Sequence, residues 1–479
     1  MEVNMKTKKI IALALTALLM LTCLLGCDKT ATQTSTRKKT IEFFMFGNDR
    51  DIELVNQIAR NFESINPNIK VNVTSSTGDY YDNVLQRLGT NAPDIFFVEP
   101  GDFGYLLKDD EILNLQPYLD KSQILKATDL WDINDTFKYD GTNVGQGNIY
   151  ALIKDWSSTF TVVVNRKNVD DYNASLSGGT SNALAIDLSK WEIKFDENTG
   201  TVTMPKSAPT WDEYYDMAVK LTRDGKKGST MDYVPILHLL EWVQMNGGKL
   251  FNDDGTKLNV DDAKVKEAFT YFYELQKGKN GGVAPAAYAT GGSTESLGGE
   301  QFANGLISTA FYGRWAFTSY DWLSSSKNLD VAVLPNPIPA SVKDTTPFMA
   351  TTSPVAISIY SNSKNKDEAY SFVEYYMTEG MKELCKKGFN IPGNKTIAEN
   401  EFIDKAFINN DVEWKFNKIF LEYGKQYTKP IVLNSKVRLS TLTATFSSEL
   451  DKWLQGQFTS YDETINSIKT KMDTIISRG

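Results

Sequence analysis

Beyond Thr40 the chain alternates between short apolar runs and segments whose apolar residues recur with a helical period. The first apolar run spans 41–46, a helix-like segment spans 54–65, and a second run follows at 71–73. A strand, a helix and a second strand in this order are typical of a βαβ unit. We therefore predict an α/β protein built around parallel sheets.

A later run, 94–98, is nearly continuous in its apolar residues and shows no alternation of polar and apolar residues. Such a run indicates a strand that is buried on both faces of a parallel sheet. Ligands of open α/β sheets bind beyond the carboxyl ends of the strands. We therefore predict ligand contacts in the loops after the first run and after this one, at Phe46, Gly47, Glu99 and Asp102.

Acidic side chains outnumber basic ones, which limits the class of partner. The 479 residues include 51 Lys and Arg against 60 Asp and Glu, a formal net charge of −9. Residues 1–27 hold three lysines and one glutamate, so the rest of the chain carries −11. Nucleic-acid phosphates require a basic face, and we therefore exclude a nucleic-acid partner. The apolar content of 41% is enough for two or three lobes with cores of their own.

The amino terminus has the features of an export signal. Lysines at 6, 8 and 9 precede an apolar run over 10–25, which is shorter than the roughly 20 residues of a membrane-spanning helix. Residues 24–27, Leu-Leu-Gly-Cys, resemble the bacterial lipoprotein cleavage box, whose cysteine is acylated, for example with palmitate. We predict a signal peptide over 1–27, lipidation at Cys27 and a flexible polar tether over 28–37. This anchor would hold the protein on the extracytoplasmic face of the cell membrane.

Cysteine usage provides no disulfide framework. After the predicted cleavage only Cys27 and Cys385 remain, and an acylated Cys27 cannot pair. Cys385 occupies an apolar position in a helix-like segment. We predict that it is a small buried residue rather than a nucleophile.

Three later segments are predicted as an insertion, a helix and a loop. Residues 172–207 are rich in Ser, Gly and Asn and are predicted to form an insertion that decorates the surface, with a hairpin turn at 196–200. A helix is predicted over 259–275, after a turn. Residues 281–299 are rich in Gly, Ala and Thr, and we predict a mobile loop there.

Six motifs then follow one another in the order that is typical of one family. They lie at 93–98, 113–119, 209–214, 247–251, 302–305 with 312–315, and 363–369 with 372–373. Together they resemble the carbohydrate branch of the extracellular solute-binding proteins of ABC importers, which includes the maltose-binding proteins. The resemblance covers most of the chain after Thr40. It implies the type II periplasmic-binding-protein fold, an α/β fold in which two hinge-linked lobes close on a ligand in the cleft.

The same resemblance implies a division of the chain and a function. The first lobe would hold 38–157 and 333–386, and the second lobe 158–332 and 387–479. The protein would bind a sugar or oligosaccharide between the lobes and deliver it to the permease of an ABC importer. We expect a monomer that needs no cofactor or metal and performs no covalent chemistry.

A sugar offers an apolar face of C–H bonds and a rim of hydroxyl groups, so its cleft needs aromatic platforms and fixed polar groups. The resemblance points to Trp315 as a stacking residue. Trp156 follows a strand end at the expected crossing between the lobes, and Trp242 precedes a glycine pair. We predict that these three tryptophans contact the ligand.

Polar contacts are predicted at Asp155 and Arg314, in addition to the two acids of the strand-end loop. Thr352 is included because residues 351–353 stand where relatives often have a Gly-Gly-Trp-like turn. This departure from the family pattern leaves the identity of the sugar open.

Other functions remain as alternatives. A secreted glycoside hydrolase needs two carboxylates around the scissile bond, and no pair stands out among the 60 acidic residues. A peptide or polyamine could replace the sugar, since the acidic charge argues only against an anionic solute. The one histidine, His238, is predicted to be a partly buried helix residue, so a histidine-based triad or metal site is not expected.

Overall fold

The computed structural model describes residues 38–76, 80–158, 160–176, 184–230, 235–252, 255–287, 295–344, 350–387, 390–431 and 437–477. The predicted signal peptide, the lipidation site Cys27 and the tether lie outside these residues. Within the described ranges, no helix is both long enough and apolar enough to cross a membrane.

Strands and helices alternate along most of the described chain. The strands are β1 Lys39–Met45, β2 Ile69–Ser75, β3 Ile95–Val98, β4 Lys138–Tyr139, β5 Asn148–Ile149, β6 Leu152–Trp156, β7 Val162–Asn165, β8 Lys194–Asp196, β9 Thr201–Thr203, β10 Lys227–Thr230, β11 Ala286–Ala287, β12 Ile307–Phe311, β13 Val331–Leu334, β14 Ala350–Thr352, β15 Val355–Ile359, β16 Ile391–Pro392 and β17 Thr428–Pro430.

The α-helices are α1 Asp49–Ile65, α2 Tyr80–Leu88, α3 Pro100–Lys108, α4 Gln116–Lys121, α5 Arg166–Ser175, α6 Trp211–Leu221, α7 Pro235–Met245, α8 Ala263–Lys277, α9 Glu295–Ala303, α10 Trp315–Ser319, α11 Lys366–Tyr375, α12 Met381–Lys386, α13 Lys395–Asn400, α14 Lys405–Ile408, α15 Asp411–Tyr427, α16 Leu439–Leu454 and α17 Tyr461–Ile476. A π-helical turn, Tyr376–Gly380, joins α11 to α12.

A six-stranded sheet forms the first lobe, in the order β16-β6-β15-β3-β1-β2. β1 runs parallel to β2 and β3, whereas β15 runs antiparallel to β3 and β6. All four residues of β3 are buried, as expected for a strand covered on both faces. The predicted α/β class is confirmed, although the sheet is mixed because β15 enters it in the opposite direction.

A five-stranded sheet forms the second lobe, in the order β11-β10-β12-β7-β13. β10 runs parallel to its neighbours β11 and β12, and β7 runs antiparallel to β12 and β13. This second sheet has a core of its own, to which α16 and α17 also contribute.

The chain passes between the two sheets at three places in the described residues. β6 leads into β7, β13 leads through β14 into β15, and β16 is followed by β17 and then by α16 of the second core. β14 and β17 pair in parallel as a separate two-stranded sheet, and we call them the hinge strands. Two lobes joined by several crossings are the architecture that the family resemblance implied, and that prediction is confirmed.

Two predicted lobe boundaries shift by a few residues. The boundary at 333 falls inside β13, which pairs with β7 of the second sheet. The boundary after 386 assigns β16 to the second lobe, but Ile391 and Pro392 pair with β6 of the first sheet. Backbone pairing therefore places β13 in the second lobe and β16 in the first. The rest of the division stays a prediction.

Cys385 and His238 are both buried. Cys385 is buried in the core of the first lobe, which confirms its predicted role. His238 is fully buried rather than partly buried, and its ring stacks on Phe160 with the centroids 3.8 Å apart. Burial lowers the pKa of His238 to about 3, so its ring is neutral at pH 7.

The insertion contains the predicted hairpin turn. β8 and β9 pair antiparallel around residues 196–200, and Gly200 adopts a φ of +67° there. The insertion also packs against a helix, because the ring of Phe195 lies 5.1 Å from Trp414 on α15. The hairpin therefore helps to hold a helix that lies next to the hinge.

Two other predicted boundaries are refined. The helix predicted over 259–275 begins at Ala263, because the Asp262 side chain accepts the Lys264 N–H at 2.7 Å and caps the first turn. The loop predicted over 281–299 contains β11 and the start of α9, while residues 288–294 lie outside the described residues.

Candidate ligand-binding site

The carboxyl ends of β1, β3 and β6 lie at one edge of the first sheet, since these strands run in the same direction. Phe46 and Gly47 follow β1, Glu99 follows β3, and Asp155 lies near the end of β6. The structure therefore brings together the two predicted loops and one predicted residue of the lobe crossing.

Aromatic rings form the floor of this edge. The ring centroid of Phe46 lies 5.5 Å from that of Phe97 and 6.4 Å from that of Tyr81. The Nζ atom of Lys154 lies 5.0 Å from the centroid of the Phe97 ring. Phe46 is only partly buried, so some of its apolar surface remains open to a ligand.

Charged side chains surround this floor, and we call them the strand-end cluster: Asp51, Glu99, Asp102, Lys154 and Asp155. Lys154 and Asp155 form a buried ion pair. Burial and the neighbouring Asp102 carboxylate raise the pKa of Glu99 to about 7. Burial also raises the pKa of Asp51, although hydrogen bonding and Lys154 oppose the shift. Four carboxyl groups around one ammonium group suit a ligand that donates hydrogen bonds.

Asp51 was missed in the sequence, although a signal for it exists. The Asn48 side chain accepts the backbone N–H groups of Arg50 and Asp51 at 3.0 Å, and Oδ2 of Asp51 accepts the Asn48 N–H at 3.1 Å. This capping box follows a buried strand directly and holds the carboxylate at the sheet edge. Oδ1 of Asp51 is buried and has no hydrogen-bond partner among the described residues.

Gly47 allows the loop after β1 to pass close to this carboxylate. Its φ is +151°, and a Cβ atom at this position would lie 2.8 Å from the Cβ atom of Asp51. A side chain at position 47 would therefore displace Asp51 from the strand-end cluster.

Trp315 begins α10 and lies at the boundary between the lobes. Its partly buried ring lies 5.5 Å from that of Tyr312 and 6.0 Å from that of Tyr320. The Nη1 atom of Arg50, at the start of α1 in the first lobe, donates to the carbonyl oxygen of Thr318 on α10 at 3.0 Å. Trp315 is thus an aromatic side chain of the second lobe next to the strand-end loops of the first.

Two arginines, Arg50 and Arg438, bridge the lobes, and we call them the interlobe arginines. Arg50 also donates to Oδ1 of Asp321 at 3.0 Å, across 271 residues of sequence. Arg438 lies just before α16, with Nη2 2.8 Å from Asp82 and Nε 3.5 Å from Asp102. These hydrogen bonds and ion pairs connect the two lobes. Sequence patterns carry no signal for contacts between such distant residues.

Trp156 is packed in the hinge. Its side chain is 4% exposed, its ring lies 5.5 Å from that of Trp131, and a Cβ atom on Gly424 of α15 would lie 3.1 Å from it. Its Nε1–H has no acceptor among the described residues. The part of Trp156 that is left for a ligand is therefore its buried N–H group, because its ring face is covered.

Arg314 and Trp242 lie outside the strand-end cluster. The fully buried guanidinium group of Arg314 pairs with Glu413, and its Nε donates to Oδ1 of Asn417 at 3.0 Å. A buried guanidinium group needs such partners, but Nη1 has none among the described residues, and the ligand contact of Arg314 stays a prediction. Trp242 is fully buried in the second core, where its ring lies 4.8 Å from that of Tyr271, so its ring face is not open to the predicted stacking on a ligand.

Thr352 lies on hinge strand β14, and its buried Oγ1 has no partner among the described residues. The preceding residue, Thr351, donates to Oε1 of Glu241 on α7 through its backbone N–H at 3.1 Å and through its hydroxyl at 2.7 Å. Glu241 was not predicted, because nothing in its apolar helix marks it. Within the described residues, no group of three or more His, Cys, Asp or Glu side chains is arranged to hold a metal ion.

Comparison with known proteins agrees with this geometry. Residues 51–383 match the family described as bacterial extracellular solute-binding proteins. No curated protein sequence matches the chain.

Solved structures share the fold over nearly the whole chain. An ABC substrate-binding protein from Listeria monocytogenes in complex with cycloalternan is 18% identical, with a TM-score of 0.70 over 92% of this chain and 99% of that one. A Thermotoga lettingae ABC transporter solute-binding protein bound with alpha-D-tagatose is 18% identical, with a TM-score of 0.69 over 91% and 100%. UgpB from Mycobacterium tuberculosis in complex with glycerophosphocholine is 15% identical, with a TM-score of 0.69 over 92% and 98%.

Proposed function

This chain belongs to the family of bacterial extracellular solute-binding proteins, and on that premise we propose that it binds a sugar or oligosaccharide in the cleft between its lobes. It then delivers this ligand to the permease of an ABC importer. The observation that carries the proposal is the strand-end cluster, whose polar groups and aromatic floor lie in one lobe beside Trp315 of the other.

The chemistry of the cleft supports a carbohydrate. Carboxylates of the strand-end cluster accept hydrogen bonds from paired hydroxyl groups, and Oδ1 of Asp51 is a buried acceptor without a partner among the described residues. Phe46 and Trp315 are partly buried rings that can lie against the C–H face of a sugar. The similar structures with cycloalternan and alpha-D-tagatose support the same class of ligand.

The interlobe arginines support a carrier that closes. Arg50 joins α1 to α10, and Arg438 joins the start of α16 to Asp82 and Asp102. A ligand that contacts both lobes shifts the equilibrium towards a closed form in which such contacts are made, and a permease can distinguish that form from the open one. We propose that the protein performs no covalent step on its ligand and acts as a monomer.

A cationic solute such as a polyamine is the second candidate. The strand-end cluster combines four carboxyl groups with one lysine, and repulsion from the Asp102 carboxylate adds to the burial that raises the pKa of Glu99 to about 7. An added cation would relieve this repulsion. Neutral sugars and polyamines therefore belong in the same binding assay.

The proposed location is the extracytoplasmic face of the cell membrane, with a lipid at Cys27. The lipoprotein-like residues at 24–27 support this proposal. Replacement Cys27→Ser should release the exported protein from the membrane fraction. If the variant remained in the membrane fraction to the same extent as the wild type, the anchor would have to lie elsewhere.

Thermal unfolding of the protein with a panel of mono- and oligosaccharides, polyamines and peptides tests the function. A ligand at 100 times its dissociation constant should stabilise the protein by about 2.7 kcal/mol. Trp315→Ala should abolish the shift, whereas Trp191→Ala, which changes a partly buried tryptophan before β8, should leave it intact. A shift with polyamines alone would favour the second candidate. Turnover of a chromogenic glycoside would contradict the carrier function.

A further inference from the structure

Glu241 joins parts of the chain that meet at the hinge. It lies on α7 of the second lobe and is fully buried. Its Oε1 accepts a hydrogen bond from Nδ2 of Asn336 at 2.9 Å, and two more from the backbone N–H and the hydroxyl of Thr351, at 3.1 and 2.7 Å. The Oε1 atom of Glu241 is therefore hydrogen-bonded both to the segment that follows β13 and to the hinge strand β14.

The other carboxyl oxygen of Glu241 has a different environment. Oε2 is buried and has no hydrogen-bond partner among the described residues. Within the described residues, no lysine or arginine shifts the pKa of Glu241. A bare carboxylate in such a place is strongly unfavourable, and a proton on Oε2 removes the charge. Burial raises the pKa of Glu241 to about 8, in agreement with a neutral group at pH 7.

Two titratable side chains near Glu241 are buried, and a third lies at the surface. Tyr423 on α15 accepts the backbone N–H of Asn336 at 3.2 Å, and burial raises the pKa of its hydroxyl. His238 lies one turn earlier on α7, and burial keeps its ring neutral. Lys429, on hinge strand β17, is exposed to solvent. Among these described residues, Glu241 is therefore the group whose ionisation can affect this part of the hinge.

The same helix also holds the second hinge strand. Nε2 of Gln244 donates to the carbonyl oxygen of Pro430 on β17 at 3.1 Å, and Pro430 lies opposite Thr352 in the β14–β17 pair. We infer that Glu241 is a positioning residue of the cleft: as a neutral carboxylic acid it ties β14 to the second lobe and so sets Thr352 in place. The role of Thr352 towards a ligand rests on the proposed function, whereas the protonation of Glu241 does not.

The pH dependence has a definite sign. The folded state keeps the proton on Glu241 up to about pH 8, whereas the unfolded chain releases it near the ordinary value of 4.5. Stability therefore falls as the pH rises between these two values and levels off above the higher one. Water can solvate the ionised group only if β14 separates from α7, so the hinge strand should become more exposed over the same range.

Glu241→Gln in the full chain tests this inference, because glutamine keeps an acceptor oxygen and cannot ionise. The unfolding constant of the wild type should rise by up to about tenfold per pH unit through this group. Between pH 5.5 and 7.5 the ratio of the two unfolding constants, measured in urea, should therefore change by up to about 100-fold.

Glu449→Gln is the matched control. Glu449 is also fully buried, but Nζ of Lys452 lies 2.7 Å from its Oε1 and Lys471 pairs with it as well. A carboxylate that is already ionised does not titrate between pH 5.5 and 7.5. The control should change the unfolding constant by the same factor at both pH values.

Hydrogen exchange at residues 350–352 gives a second readout that requires no variant to fold. After correction for the intrinsic exchange rate, protection of the wild-type Thr351 amide should fall between pH 6 and pH 9. Flat protection in the wild type, or a Glu241→Gln variant with the pH slope of the wild type, would overturn the inference. Neither experiment uses a sugar, so both test the inference even if the proposed function is wrong.

Discussion

Replacement of Arg314 by methionine should destabilise the protein without removing a ligand contact. The guanidinium group is fully buried, pairs with Glu413 and donates to Asn417 at 3.0 Å. The variant would leave the Glu413 carboxylate, whose side chain is 14% exposed, without its cation, and the Asn417 oxygen without its donor. Removal of one partner from a buried pair costs about 3–5 kcal/mol. We expect a loss of stability in this range for Arg314→Met.

The double variant Arg314→Met with Glu413→Gln separates the ion pair from simple packing. Since it removes both charges, it should recover much of the stability that the single variant loses. Urea unfolding measures the three free energies, and equal denaturant slopes confirm that the variants expose similar surface on unfolding. The affinity for the ligand found in the thermal assay should stay within about threefold of the wild type, a change of less than 1 kcal/mol.

Two results would refute this reasoning. A loss of stability below about 1 kcal/mol would be typical of a surface pair rather than a buried one. A large loss of affinity at unchanged stability would instead give Arg314 the ligand contact that its motif predicted. Arg223→Gln serves as a control, because that side chain is 39% exposed and forms an ion pair with its neighbour Asp224 at the surface.

Further predictions concern closure, the strand-end loop and acid stability. Arg438→Gln should weaken apparent ligand affinity by about two- to tenfold in calorimetry, because the closed form loses its contacts with the first lobe, and an unchanged affinity would contradict this. Gly47→Ala should cost about 1–3 kcal/mol in urea unfolding, since its φ suits only glycine; Gly89→Ala, which meets no atom closer than 3.8 Å, should cost less. Burial alone would raise the pKa of Glu449, but hydrogen bonds from Lys452 and Lys471 outweigh it and lower the pKa to about 2. Stability from this group should therefore disappear as the pH falls from about 4.5 to about 2, and an acid titration of Glu449→Gln should lack that loss.

The parts of the fold that depend on local sequence could be predicted. The run at 94–98 is buried along its whole strand, and its carboxyl end delivers Glu99 to the sheet edge as expected. The turn at 196–200 forms because residues 194–196 and 201–203 pair on either side of it. In each case a few adjacent residues determine the backbone geometry, so the pattern holds the necessary information.

Contacts across the hinge could not be predicted in this way. Arg50 and Asp321 meet because the two lobes lie against each other, and their separation of 271 residues leaves no periodic trace in the sequence. Glu241 is similar, since its position in an apolar helix becomes meaningful only when β14 lies against that helix. The capping box of Asp51 was available as a local signal, but it marks a helix start and not a ligand site.

The adjacent residues Arg314 and Trp315 show why a sequence motif predicts where a residue lies but not what its side chain contacts. Successive residues at a helix start point in directions that differ by about 100°, because the helix turns once in 3.6 residues. Arg314 accordingly points to Glu413 and Asn417 on α15, whereas Trp315 remains partly buried beside Tyr312 and Tyr320 at the lobe boundary. The same short motif can therefore supply both a charged side chain that pairs with a neighbouring helix, as Arg314 does, and an aromatic ring at the lobe boundary, as Trp315 does. For this chain, the ion pair of Arg314 with α15 fixes the start of the helix that carries Trp315, so the loss that we predict for Arg314→Met is one of stability.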